Sequence, residues 1–235
     1  MTILWLCELS GLTDDIYVGL RNFLPKREQY GLDRLAGRES RAQKLVSRCM
    51  AYMAVEAYCG QPIEYADIWF PVDASPVYKP LRKPSNNVSL SLSHSKGGVV
   101  VAASLRGALG VDVLDHDRPR NWRSIALNYF PKVDVDYLQS LPEDKAIAAF
   151  RQLWCWKEAL VKAAGLSLVE ALHFPFMEPD GVPCKIMWGA TSFYLRADVH
   201  AGYTVGLLTE EAFEYQVLAT TPKKILASLV QAGQS

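Results

Sequence analysis

The spacing of apolar residues along the 235-residue chain divides it into short strands and two long helices. From Val88 to Ser93, Val88, Leu90 and Leu92 alternate with Ser89, Ser91 and Ser93, the pattern of a strand with one buried and one polar face. Residues 99–104 and 109–114 read as two more strands; 3–9 forms an earlier strand and 67–72 a short one. Spacings of three and four predict a helix from about Glu39 to Cys59, with Leu45, Cys49, Tyr52 and Met53 inward, stopped by Gly60 and Pro62. A second helix runs between Pro142, suited to a first helical position, and Gly165, suited to a left-handed end. It buries Ala146, Ala149, Phe150, Leu153, Leu160, Val161 and Ala164. Weaker helical patterns span 14–35, 121–130 (with Asn121 as N-cap) and 133–140. Beyond the long helix, 168–176, 184–188, 191–199, 202–208 and 213–219 read as strands, and a last helix follows Pro222. Each half has the order strand, helix, strands. The expectation is an α+β chain of two similar α/β lobes, residues 1–107 and 108–235.

Composition narrows the function classes. Lys and Arg number 25 and Asp and Glu 25, so nothing pulls the whole chain towards nucleic acid or an anionic membrane, and any anion site must be local. No uncharged run approaches the ~20 residues needed to cross a bilayer. The five cysteines (Cys7, Cys49, Cys59, Cys155 and Cys184) show no C-x-x-C pair and no zinc spacing, and read as reduced thiols of a cytoplasmic protein. The apolar start, Thr2 to Cys7, lacks a basic flank and reads as a strand, not a signal peptide.

Five stretches carry chemistry. Asp112 lies in the β-branched run Gly110-Val111-Asp112-Val113-Leu114, where an acid is costly to bury unless paired or metal-bound. On the second long helix Trp154, Glu158 and Lys162 are four apart and share a face, while Lys157 points about 100° away. A Glu–Lys pair at that spacing is also common on solvated faces, where it adds only about 0.2–0.5 kcal/mol. The strand 88–93 ends in Ser93-His94-Ser95. Cations gather on the loop Tyr78-Lys79-Pro80-Leu81-Arg82-Lys83-Pro84 and at the helix start Arg34-Leu35-Ala36-Gly37-Arg38-Glu39-Ser40-Arg41, where they oppose the helix dipole unless an anion sits between. Ser93 and His94 do not make a serine hydrolase: adjacent strand residues face opposite ways, and there is no G-x-S-x-G turn.

Together these stretches resemble the Sfp-type 4′-phosphopantetheinyl transferases. Gly110-Val111-Asp112 matches the family's G-[VI]-D strand. Trp154-Cys155-Trp156-Lys157-Glu158-Ala159-Leu160-Val161-Lys162 matches [FW]-[CST]-x-K-E-[AS]-x-x-K at every defined position. Ser93-His94-Ser95, Tyr78-Lys79-Pro80 and Ala36-Gly37-Arg38 resemble three further segments. The likeness covers roughly residues 34–165.

The resemblance implies a pseudo-twofold fold and a Mg²⁺-dependent transfer of the phosphopantetheine arm of coenzyme A to a serine of an acyl or peptidyl carrier protein, releasing adenosine 3′,5′-bisphosphate. It implies metal ligation by Asp112 and Glu158, Glu158 as base, and Lys157 and Lys162 on the pyrophosphate. Arg38, Lys79, Ser93 and His94 would contact coenzyme A, and Arg118, Arg120 and Arg123 would meet an acidic carrier helix. Many members have a second acid where this chain has Leu114, so two protein ligands and an extra water are expected on the metal. That departure keeps open a second reading, a paralogue that binds coenzyme A or a carrier protein with little transfer. No nucleic-acid or membrane partner is implied, and a monomer is the simplest state.

Overall fold

The computed structural model describes residues 2–60, 63–71, 75–80, 88–105, 107–117, 121–178, 181, 183–212 and 214–232. In chain order the elements are β1 (Thr2–Glu8), α1 (Asp14–Phe23), α2 (Lys26–Asp33), α3 (Arg38–Cys59), β2 (Ile68–Trp69), β3 (Val77–Tyr78), β4 (Ser89–Ser95), β5 (Gly98–Ser104), β6 (Leu109–Asp115), α4 (Trp122–Tyr129), α5 (Lys132–Ser140), α6 (Glu143–Ala164), α7 (Leu168–His173), β7 (Lys185–Trp188), β8 (Thr191–His200), β9 (Tyr203–Thr209), β10 (Tyr215–Thr220) and α8 (Pro222–Ala232). None of the described helices is long and apolar enough to cross a membrane. All five cysteines are free thiols.

The chain forms two units. The first comprises Met1–Arg106 together with Phe213–Ser235, and the second Gly107–Ala212. Residues 213–235, expected in the second lobe, therefore belong with the first. The reason is strand pairing: β10 adds to β1 in parallel, Thr2 opposite Tyr215 through Cys7 opposite Thr220. Helix α8 then buries Ile225 and Leu229 in the core formed by Leu45, Cys49, Val55, Val99 and Val101. The first sheet runs β10-β1-β5-β4-β3-β2. Its long helix α3 ends at Gly60, whose φ of 61° is the left-handed conformation that glycine adopts without strain.

Among its described residues the second unit has an antiparallel sheet, β6-β9-β8-β7, and four helices. Its long helix α6 likewise ends at a left-handed residue, Gly165 with φ 69°. Residues 168–176, expected as a strand, begin instead with α7. Ser167 and Glu170 form a reciprocal capping box, in which the Ser167 hydroxyl accepts from the Glu170 amide and the Glu170 carboxylate accepts from the Ser167 amide at 2.9 Å. That S-x-x-E pattern is a helix start, and it outweighs the short apolar run after it. Of the strand expected at 67–72, Ile68–Trp69 form the two-residue β2, and residue 72 lies outside the described residues.

A chain ended after Ala212 would lack β10 and α8. It is expected to lose cooperative unfolding of the first unit, read as loss of the upper part of the thermal transition and of dispersed methyl signals in NMR spectra.

Candidate functional site

The second unit builds its site from the face of β6 that lies against α6. The register from Leu109–Thr209 to Asp115–Tyr203 is unbroken, so Gly110, Asp112 and Leu114 share one face and Asp115 the other. No bulge turns Asp115 towards Asp112. Glycines let the helix lie almost directly on the strands: a methyl at Gly110 would run into the carbonyl oxygen of Ala159, and one at Gly206, opposite Asp112, would meet the Cβ of Cys155 at 2.6 Å. Cys155, Ala159 and Ala163 are spaced by four and form a stripe of small side chains down that side of α6.

This contact brings the two ends of the motif together. Lys162 donates to the carbonyl of Val111 at 2.8 Å and to Oδ1 of Asp112 at 2.9 Å. Asp112 is 7% exposed, so its carboxylate is nearly withdrawn from water. Glu158 is half-buried and lies one turn before Lys162, on the flank of α6 where Lys162 meets Asp112. Trp154, a further turn back, packs against Phe150 at 6.1 Å between ring centroids.

Lys157 does not join them. Expected on the pyrophosphate, it is instead wholly buried, and its Nζ stands 2.8 Å from Oδ2 of Asp134, which is equally buried. The same ammonium donates to the carbonyls of Leu172 at 3.1 Å and Phe174 at 2.6 Å, and lies 4.6 and 4.9 Å from the ring centres of Phe130 and Phe176. Burial lowers its pKa to about 8, against the opposing pull of the Asp134 carboxylate. A cation enclosed in this way is not available to a soluble anion. Asp134 drew no attention in the sequence, because an acid in the first turn of a helix is ordinary. Gly206 carried a weak signal, as an interior strand glycine with no turn beside it.

Among the described residues no three His, Cys, Asp or Glu side chains gather to hold a metal ion. The donor set of Asp112 and Glu158 nevertheless fits Mg²⁺, which takes few carboxylates and fills its octahedron with phosphate oxygens and water. Asp112 already faces one cation, the Lys162 ammonium. Leu114, 3% exposed, leaves an apolar side chain where a third ligand would stand.

The first unit gathers a separate set. Glu39, next to Arg38 at the start of α3, accepts from the Gly97 amide at 3.0 Å, and Gln43 donates to the Ser95 carbonyl at 2.8 Å. The β4–β5 turn after Ser93 and His94 is therefore fastened to the helix start that bears Arg38. Arg38 itself is exposed and pairs with Asp14 at 2.7 Å. Ser93 is buried and His94 exposed, as their alternation on β4 requires. Lys79 is not brought to them. It follows β3, which meets β4 at Ser89, the opposite end from His94, and its Nζ lies 5.7 Å from the Trp69 ring centre.

Of the arginines expected to meet a carrier, Arg118 and Arg120 lie outside the described residues. Arg123 pairs with Glu143 and borders a cavity of about 160 Å³ lined by Trp122, Leu127, Leu138 and Leu141.

Residues 108–207 match the model of the 4′-phosphopantetheinyl transferase superfamily. The chain is 33% identical over 88 residues to the 4′-phosphopantetheinyl transferase AcpT of Salmonella typhi, covering 37% of this chain and 45% of that one. It is 32% identical over 88 residues to AcpT of Escherichia coli K12, with the same shares of 37% and 45%. It is 26% identical over 106 residues to the 4′-phosphopantetheinyl transferase HetI of a Nostoc species, covering 45% of this chain and 44% of that one. The chain thus spans less than half the length of each of these relatives.

Gly110→Ala is expected to force α6 off the sheet, since the obstructing atom is backbone and cannot rotate away. The cost is about 1–3 kcal/mol, seen as a lower urea midpoint with an unchanged slope.

Proposed function

We propose, from the premise that residues 108–207 belong to the 4′-phosphopantetheinyl transferase superfamily, that this chain transfers the phosphopantetheine arm of coenzyme A to a serine of an acyl or peptidyl carrier protein. The observation that carries this reading is the meeting of Asp112 and Lys162, with Glu158 one turn away on the same helix flank. In the reaction the serine oxygen bonds to the phosphorus that bears pantetheine. The bond from that phosphorus to the bridging oxygen breaks, and adenosine 3′,5′-bisphosphate leaves with the electron pair. Asp112 and Glu158 would hold Mg²⁺, whose charge would offset the negative charge developing on the phosphate oxygens.

The chain's own groups do the rest. Glu158 takes the serine proton through a water; a carboxylate is a weak base, so positioning contributes much of the rate. Lys162 has its ammonium beside Asp112 and is placed to take a phosphate oxygen as a point charge. Lys157 has no part in binding the anion. Arg38, Ser93 and His94 are proposed as coenzyme A contacts, supported by the family resemblance and by the fastening of their turn to α3. Lys79 is proposed on the resemblance alone. The enzyme is read as a cytoplasmic monomer, in keeping with its free thiols. The alternative of a paralogue that binds without efficient transfer draws on Leu114, which leaves Asp112 and Glu158 as the only two protein carboxylates proposed for the metal.

Mass spectrometry of apo-carrier proteins incubated with the protein, Mg²⁺ and coenzyme A is expected to show the added phosphopantetheine. Wild-type protein that binds coenzyme A but modifies no carrier would establish the alternative. Asp112→Ala and Glu158→Ala are each expected to abolish transfer while the melting temperature stays near wild type. In Asp112→Ala, Lys162 retains the Val111 carbonyl and some exposure to water. Lys162→Ala is expected to raise the KM for coenzyme A more than that for the carrier; an unchanged KM would remove Lys162 from the anion site.

A further inference from the structure

The contact that places Glu158 is smooth along one stripe. Cys155, Ala159 and Ala163 press small side chains on Gly110 and Gly206, which brings the backbones close, while Leu153, Trp156 and Leu160 pack in the core with Phe193, Leu195 and Leu208. Directional polar contacts add to that packing in fixing how far α6 slides and turns. Among the described residues they include Lys162 to Val111 and Asp112, Trp156 Nε1 to the Arg196 carbonyl at 2.8 Å, Arg151 to the His116 carbonyl at 3.1 Å, and Lys157 to Asp134, Leu172 and Phe174. The Lys162 contact belongs to the proposed site and changes with whatever binds there. The Lys157 contact is sealed from solvent and does not.

We infer that the buried Lys157–Asp134 pair is a positioning device for the neighbouring Glu158, holding α6 at one height and rotation while the site binds and releases its ligands. Asp134 is suited to this because one oxygen is hydrogen-bonded to backbone and the other stands at ion-pair distance from Lys157 without a hydrogen bond of its own. Oδ1 accepts from the amides of Phe176 and Met177 at 3.0 and 2.9 Å, and Oδ2 faces Lys157. The pair thus joins α5, α6 and the segment after α7 at one point. Buried ion pairs are poor sources of net stability, because desolvation offsets their attraction, and matched apolar replacements are often neutral or stabilising. What an apolar replacement loses is direction. Lys157 touches no ligand in this scheme, so it is a positioning residue and not a catalytic one.

The test compares wild type with the double variant Asp134→Leu, Lys157→Met by thermal melting, hydrogen exchange over residues 155–162, and transfer kinetics on an apo-carrier protein. The double variant is expected to melt a few degrees lower than wild type, because Leu leaves the Phe176 and Met177 amides without an acceptor. Its 155–162 amides should exchange about tenfold faster, and kcat should fall about tenfold or more, with the KM for coenzyme A unchanged within about twofold. Wild-type exchange or wild-type kcat in that variant overturns the inference. Should it not fold, Asp134→Asn decides by the same readings, since it keeps an oxygen for the Phe176 and Met177 amides and removes the charge facing Lys157. Failure of both to fold makes the pair a folding requirement and also overturns it. The kinetic arm rests on the proposed transferase activity. If wild type modifies no carrier, that activity fails, and the exchange arm still decides the inference.

Discussion

The close approach of α6 to β6 and β9 is the constraint on which the second unit depends. Helix and strand backbones come near enough for Ala159 to sit over Gly110 and Cys155 over Gly206 only because neither glycine has a side chain. Everything proposed for the site follows from that proximity. Asp112 comes from the strand and Lys162 from the helix, and they meet at 2.9 Å because nothing bulky separates the two elements. A glycine that looks like a weak point in a strand is here the condition for the contact between helix and strand.

Close packing of small residues brings backbones together but does not by itself hold them in register. The polar contacts of α6 add to its core packing in doing so, and the two lysines of the Lys157-to-Lys162 stretch divide the work. Lys162 faces the proposed site, beside Asp112. Lys157 points the other way, into the aromatic cluster of Phe130, Phe174 and Phe176, where Asp134 and two carbonyl oxygens replace its hydration. One motif therefore contains a lysine placed beside the proposed site and another enclosed in the core. An ammonium in an apolar core would be prohibitively costly alone, and its enclosure by a carboxylate, two carbonyls and two ring faces is what makes the position tolerable.

The first unit follows the same logic at a different place. The β4–β5 turn, with Ser93 and His94 before it, is held to the start of α3 by Glu39 and Gln43. The helix start that looked electrostatically awkward, with three arginines where the dipole favours anions, gains Asp14 as a partner for Arg38. Lys79 stands apart because β3 crosses β4 at its far end. Shared membership in one sequence pattern did not make these residues neighbours.

Local periodicity was enough to read both long helices, their glycine stops, and the strands that carry Ser93, His94 and Asp112, because alternation and the 3.6-residue repeat are properties of consecutive residues. It was also enough to set Glu158 and Lys162 on one side of α6. The capping box at Ser167 and Glu170 was equally local, and shows that an apolar run after a good cap is a helix. Only the folded chain decided that Tyr215–Thr220 pairs with the N-terminal strand, that Asp134 answers Lys157, and that Lys157 is buried while Lys162 is not. Those outcomes are fixed by partners dozens or hundreds of residues away, and a side chain's solvent exposure depends on what packs over it, which no short window of sequence contains.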